Sequence, residues 1–259
     1  MNELSTKTQK VTSIAQLVHD EGFVKKANDV LGKGTQQFMS SVLSLANSSP
    51  QLLACDPIKL YNVCLMSAAI KLPFNQNLGQ AYIIAYKGEP QLQIGWKGFV
   101  QLAQRSGQFK TIGVNAVHDN EIGGIDSATG EIIFDFKLPE EKSDKIVGYM
   151  AYFKLLNGFE KSYYMTVDQI KKHASTYSQT YKKGYGVWAD NFEAMAQKTV
   201  IKLLLNKFAP LSIDSELARA IEIDQSDENG EYVDNKPSFE VENASVDGER
   251  LVVEDEQKM

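Results

Sequence analysis

Apolar residues recur at helical spacing early in the chain and in short strand-like runs beyond Leu72. Residues 23–31 form one helical stripe, closed by Gly32 and Gly34; Thr35 can cap the next, which holds Phe38, Met39, Val42, Leu43 and Leu45. Asp56-Pro57 supplies an N-cap and a first-turn proline, predicting a helix through Lys71 that buries Leu60, Val63, Cys64 and Ala68. The first 20 or so residues are polar, hold no sustained period and are expected to fray. Residues 80–87 read as a strand, 88–90 as a turn and 91–95 as the return strand, followed by a short helix over 96–106 ended by Gly107. Further strands are predicted over 110–118, 131–138, 145–156 and 159–165, the last two joined by the hairpin signal Asn157-Gly158. Thr166 and Gln169 form a capping box that opens a helix to about Tyr177. A Ser/Tyr/Lys/Gly-rich loop over 178–187 leads to a long helix, 188–208, stopped at Pro210, and a last short helix is predicted over 212–223. Helices, then strands with one helix among them, then helices again favour the α+β class, a small antiparallel sheet packed with helices. There is no internal repeat.

The length of 259 residues and 43% hydrophobic content suffice for one sizeable core or two small ones, and exclude a collagen, a disulfide scaffold or a wholly disordered chain. No apolar run approaches the roughly 18 residues of a membrane span, and the amino terminus shows no secretory signal. Cys55 and Cys64 make no disulfide framework and are expected reduced in the core of a cytoplasmic protein. The formal net charge of −6 averages two unlike parts. Residues 222–259 carry 13 acids and 3 bases, a net of −10, which leaves +4 on residues 1–221. The expected organisation is a flexible arm over 1–22, a folded core over 23–221 and a disordered acidic tail over 222–259. The low overall charge therefore does not argue against a polyanionic partner.

The inventory for bond chemistry is thin. His19, His118 and His173 lie far apart without metal-ligand spacing and read as ordinary surface or core side chains. No G-x-x-x-x-G-K-[ST] and no G-x-S-x-G occurs. Asp119, Glu121, Asp126 and Asp135 are the only set that would suit a metal-dependent nuclease. The basic patterns are richer. Lys97, Gln101 and Arg105 fall at i, i+4, i+8 on one helical face opposite Phe99, Leu102 and Ala103. On the long helix, Phe192, Met195, Ala196, Thr199, Leu203 and Leu204 make a core side, with Lys198 and Lys202 on a neighbouring side and Lys207 further along. No acid lies between Glu193 and Asp214, so nothing local pairs these lysines. Upstream, YSQTYKKGYG (177–186) interleaves tyrosines with lysines, the mixture that suits single-stranded nucleic acid, though a solvated linker reads the same way. Gly88, Gly95 and Gly98 permit close backbone approach, to a ligand or between packed elements.

Two stretches, LPFNQNLGQAYIIAYKG (72–88) and IGWKGFVQLAQRSGQFK (94–110), together resemble the signature of the RecT family of phage and prophage recombinases. The resemblance continues through GYMAYFKLLNGFEKSYYMT (148–166) and WADNFEAMAQKTVIK (188–202), and spans about residues 23–213. It implies a β-β-β-α core and a protein that binds single-stranded DNA and anneals complementary strands without ATP, making and breaking no bond. It further implies rings or filaments of many copies, a partner 5′→3′ exonuclease, no required cofactor with Mg²⁺ as a modulator, and action in the bacterial cytoplasm away from membranes. DNA contact is carried over to Lys97, Arg105, Lys110, Lys198 and Lys202, with Lys207, Gln101, Tyr86 and Trp96 as further positions; Trp96 is open between base contact and core. The acidic tail admits two readings: a solubilising linker, or a segment that docks the exonuclease or a host single-strand-binding protein or competes for the DNA groove. Two readings from other classes stand beside the annealing one, a metal-dependent nuclease and a self-assembling structural protein.

Overall fold

The computed structural model describes residues 13–126, 132–184, 186–211 and 215–225. Five helices open it, most of them begun by a side chain that takes up otherwise unpaired N–H groups. Ser13 caps α1 (Ile14–Leu17), Asp20 caps α2 (Glu21–Leu31), and Ser49 followed by Pro50 caps α4 (Pro50–Leu53). Asp56 accepts from the N–H groups of Ile58 and Lys59, both at 2.9 Å, and Pro57 begins α5 (Pro57–Ala69). In α3 (Thr35–Ser48), Thr35 is the first helical residue instead of the cap, and its hydroxyl donates to the Gly32 carbonyl at 2.7 Å. The expected fraying of the first 20 residues is corrected from Ser13 onward. Ile14, Leu17 and Val18 are buried in the core, so three apolar anchors on and just after a single capped turn outweigh the polar residues around them. Residues 1–12 lie outside the described part. Tyr61 organises the helical layer, edge-on to both Phe23 and Phe38, with its hydroxyl donating to the Phe23 carbonyl at 2.7 Å.

Strands β1 (Ala81–Tyr86) and β2 (Glu89–Ile94) form a hairpin that packs on α5. Its turn is Lys87-Gly88, at φ of 49° and 84°, a two-residue loop whose twist matches the strands. The turn expected over 88–90 therefore moves back by one residue, and Pro90 lies inside β2 opposite Ala85, tolerated because the sheet has only two strands. Helix α6 (Trp96–Arg105) follows at once. A Cβ on Gly98 would lie 2.2 Å from the Gln80 carbonyl oxygen, and one on Gly95 would lie 2.3 Å from that of Gly79. These glycines serve the seating of α6 on the approach to β1, not a ligand.

The main sheet is antiparallel, in the order β3-β6-β7, from β3 (Phe109–His118), β6 (Ile146–Leu155) and β7 (Glu160–Thr166). Inserted between β3 and β6 is a hairpin of β4 (Ile122–Ile125) and β5 (Ile132–Phe134). The strand predicted over 131–138 is shorter than expected, and its partner β4 went unread because Gly123-Gly124 weakens the strand signal. The β6–β7 loop holds four residues, 156–159, with Gly158 at φ 92° and the Leu155 N–H donating to the Phe159 carbonyl at 2.7 Å. The capping box forms as expected: the Thr166 N–H donates to Gln169 Oε1 at 2.9 Å, and the Gln169 N–H to Thr166 Oγ1 at 3.1 Å, opening α7 (Val167–Tyr177). Strands β3, β6 and β7 followed by α7 make the β-β-β-α order, and the class is α+β.

After α8 (Gln179–Lys182), the helix expected over 188–208 is two: α9 (Val187–Asp190) and α10 (Phe192–Phe208). Asn191 separates them at φ −150°, ψ 71°, its side chain accepting the Ala194 N–H at 3.1 Å. An asparagine that can cap a helix competes with continuing one. Helix α10 lies against β3, β6, β7 and α6 and buries Ala196, Val200, Ile201, Leu204 and Leu205. Three consecutive residues of β6, Tyr149, Met150 and Ala151, are buried; since neighbours point to opposite faces, the strand is covered on both sides there. The last described element is α11 (Glu216–Gln225), which rests on β2 and α6.

Candidate nucleic-acid interface

Helix α6 presents the amphipathic pattern its sequence predicts, with Phe99, Leu102 and Ala103 buried. Lys97 at its amino end is exposed, its Nζ 5.7 Å from the centre of the Trp96 ring. Trp96 is half-buried and packs against the core with one part while its ring meets Lys97, and Gln101 is half-buried on the same helix. Arg105 at the other end is fully engaged. Its Nη1 donates to the Lys71 carbonyl and its Nη2 to the Ile70 carbonyl, both at 2.6 Å, so it satisfies the carbonyl end of α5. The same Nη2 donates to Glu216 Oε2 at 2.6 Å, and Lys71 Nζ reaches Glu216 Oε1 at 2.8 Å.

Lys198 and Lys202 lie one turn apart on α10, as expected, and α11 covers both. Lys198 Nζ donates to Asp224 Oδ1 at 2.7 Å, and Lys202 Nζ to Asp224 Oδ2 at 2.8 Å. The three side chains are 14%, 19% and 5% exposed respectively. Burial opposes ionisation of Asp224, but the two ammonium groups outweigh it and hold its carboxyl below the usual value. Burial pushes Lys198 down, and the neighbouring Lys202 charge acts in the same direction, while Asp224 opposes both. No local acid was available to these lysines in the sequence; the partner comes from residues 222–259, assigned to the acidic tail. Asp224 instead lies in the described helix α11, its carboxylate held between the two ammonium groups.

Three other candidates lie apart from that cluster. Tyr86, at the end of β1, is flanked by two cations: Lys87 Nζ lies 5.1 Å and Lys183 Nζ 5.2 Å from its ring centre, and Lys183 also donates to the Tyr86 hydroxyl at 3.0 Å. Lys207 lies over the Tyr163 ring at 4.7 Å, beside Lys161 over Phe208 at 5.8 Å. Lys110 is exposed on β3. Lys87, Lys161, Tyr163 and Lys183 are thus site candidates that pattern reading did not single out. For Lys183 the interleaved YSQTYKKGYG segment carried a signal; for Lys161 and Tyr163 the signal was only strand alternation. Trp188 from the same region is buried against Tyr181 and Phe192 and belongs to the core.

The acids suited to a nuclease are otherwise occupied. Glu121 is buried; it accepts the His118 N–H at 2.9 Å and the Lys137 N–H at 3.1 Å, and pairs with Lys142 at 3.1 Å. Burial opposes its ionisation, yet these donors together hold its carboxyl below the usual value. Asp119 takes the Ser143 hydroxyl and Asp135 takes Lys137. Among the described residues no three His, Cys, Asp or Glu side chains gather as metal ligands, and no helix is long and apolar enough to cross a membrane. Cys55 and Cys64 are free and buried, and burial pushes the Cys64 thiol up to about 12.

Fold and surface together define an α+β protein with a β-β-β-α sheet core and cation–aromatic pairs distributed over several elements. The sequence pattern of the RecT family matches residues 36–238, and the chain belongs to that family. It is 37% identical over 238 residues to the uncharacterized protein YqaK of Bacillus subtilis (strain 168), covering 89% of this chain and 82% of that one. It is 30% identical over 190 residues to the protein RecT of Escherichia coli (strain K12), covering 69% of this chain and 66% of that one. Membership places it among proteins of DNA recombination and single-strand annealing.

Proposed function

We propose that the protein binds single-stranded DNA and anneals complementary strands without a nucleotide cofactor, working as a ring or filament of many copies. The observation that carries this reading is the pairing of exposed lysines with half-buried aromatic rings: Lys97 with Trp96, Lys87 and Lys183 with Tyr86, and Lys207 with Tyr163. A lysine neutralises a phosphate and the adjacent ring offers a face to an unpaired base, with no demand on its identity. Annealing is limited by repulsion between two polyanions and by the search for register. Fixed cations relieve the first, and base pairing with the incoming strand supplies the second, so no fuel is consumed in principle.

Oligomerisation is supported by the apolar rim of the β4–β5 region, where Ile125, Ile133 and Leu138 are 68%, 53% and 60% exposed. Adjoining copies would extend the basic surface along a strand, and the annealed duplex would remain bound as product. In this reading no metal is required and Mg²⁺ only modulates DNA binding; a 5′→3′ exonuclease supplies the single strand in the bacterial cytoplasm, and residues beyond 225 dock it or a host single-strand-binding protein.

The test is the annealing of two complementary fluorescent oligonucleotides at low ionic strength with no nucleotide present, followed by imaging of the product complex. Pairing faster than in buffer, within assemblies that hold both strands, is the expected result. Strands left apart, or pairing only with a hydrolysable nucleotide, overturns the reading. Magnesium-dependent loss of the label would point instead to a nuclease, and filaments indifferent to DNA to a structural protein.

A further inference from the structure

Asp224 fills a socket whose polar lining consists of donors. Lys198 Nζ and Lys202 Nζ approach its two oxygens at 2.7 and 2.8 Å, and the Ile94 N–H points at Oδ1 from 3.3 Å. Lys202 Nζ also donates to the Asp224 carbonyl at 2.8 Å. Near the start of the same helix, Glu216 holds Arg105 and Lys71. Two carboxylates of α11 thus neutralise four cations drawn from the end of α5, from α6 and from α10. Two ammonium groups and a peptide N–H converging on one pair of oxygens are equally a donor set for a phosphate. Glu216 and Asp224 lie about 12 Å apart along the helix axis, a span that a strand covers with a few phosphates.

We propose that this socket is a phosphate site for single-stranded DNA, and that α11 is a strap that fills it with its own carboxylates and lifts when a strand enters. The proposal rests on the reading of the protein as a single-strand binder and concerns the regulation of that site. Exchange of a carboxylate for a phosphodiester keeps each buried cation paired, which avoids the large cost of leaving a charge alone in the interior. The strap is suited to release. It is a ten-residue helix, too short to persist alone, and it is held apolarly by Leu217, Ala220 and Ile221. The sequence immediately beyond it shares its sign, with 11 acids against 3 bases over residues 226–259, and so adds no cation that would hold the strap down. A permanent staple is the alternative, in which Lys198, Lys202 and Arg105 never meet DNA.

Hydrogen exchange on the full-length protein, with and without an oligothymidylate at low salt, separates the two. Lifting predicts that the amides of α11 exchange at least about tenfold faster with DNA bound; unchanged or slower exchange in the presence of bound DNA overturns the strap. The Asp224→Asn variant provides a second measurement. In the wild type, displacing a carboxylate from Lys198 and Lys202 releases no counterion, so these lysines add nothing to the salt dependence. In D224N they do, and binding should tighten by about tenfold, with a salt slope steeper by about 0.7 for each phosphate gained. Both gains should vanish when Lys198→Ala and Lys202→Ala are added. D224N binding identical to wild type overturns the strap while leaving the annealing reading intact, provided Lys97→Ala still weakens binding. A wild-type protein that binds no oligonucleotide overturns both.

Discussion

His173 lies on α7 with its ring 4.7 Å from that of Tyr177, and burial together with the charge of Lys202 pushes its imidazole down to about 4. In the unfolded chain the same group titrates near its ordinary value of 6.5. As pH falls from about 6.5 to about 4, the unfolded state takes up a proton that the folded state refuses, so stability falls across that window. The loss is at most about 3 kcal/mol, less after solvent screening of a half-buried ring. Asp224 and Glu121 act elsewhere: their carboxyls are held below their usual values, so their contribution is present above the ordinary carboxylate range and is lost only in stronger acid. Urea unfolding at pH 7 and pH 5 should therefore show a drop that His173→Gln largely removes. Nothing in the sequence marks His173 as unusual, since its shift comes first from burial and then from a lysine 29 positions away that α10 brings near, both set by the packing.

Among the elements, the seating of α6 on the approach to β1 is the contact most sensitive to one atom. A methyl group at Gly98 would meet the Gln80 carbonyl oxygen, a backbone atom that cannot swing aside. Gly98→Ala should cost about 1–3 kcal/mol through forced displacement of α6, although alanine favours helix locally. Thermal unfolding followed by circular dichroism checks this, and a variant as stable as wild type would show that the helix start has room to move. The α6 stripe, the Asp56 cap of α5 and the Thr166/Gln169 box all form where local chemistry places them, so these features are legible in the residues alone. The α9–α10 break is not legible in the same way, because an apolar period runs through Asn191 and only backbone geometry shows the interruption.

For the molecule as a whole, the distribution of charge makes salt the most informative variable. The observed binding constant should fall with salt in proportion to the phosphates neutralised, by about 0.7 in logarithmic slope for each on a single strand. Lys97→Ala and Lys110→Ala remove exposed cations and should each reduce the slope by about that amount or less, with little change in stability. Titration of a fluorescent oligonucleotide at several salt concentrations measures it. Slopes identical to wild type for both variants would remove α6 and β3 from the interface.

Local and compositional features were within reach of the residues alone: helix starts, the α+β order, the split of charge between body and carboxyl-terminal stretch, and the motifs shared with the RecT family. These depend on neighbours a few positions apart, or on sums over the chain. The state of the cations was not within reach. Lys198 and Lys202 lack any acid near them in sequence, yet Asp224 pairs both, and Arg105 is taken up by the carbonyl end of α5 and by Glu216. Ion pairing depends on separation in space, and only the packing of α11 on β2 and α6, which brings Asp224 to the lysines of α10, sets that separation.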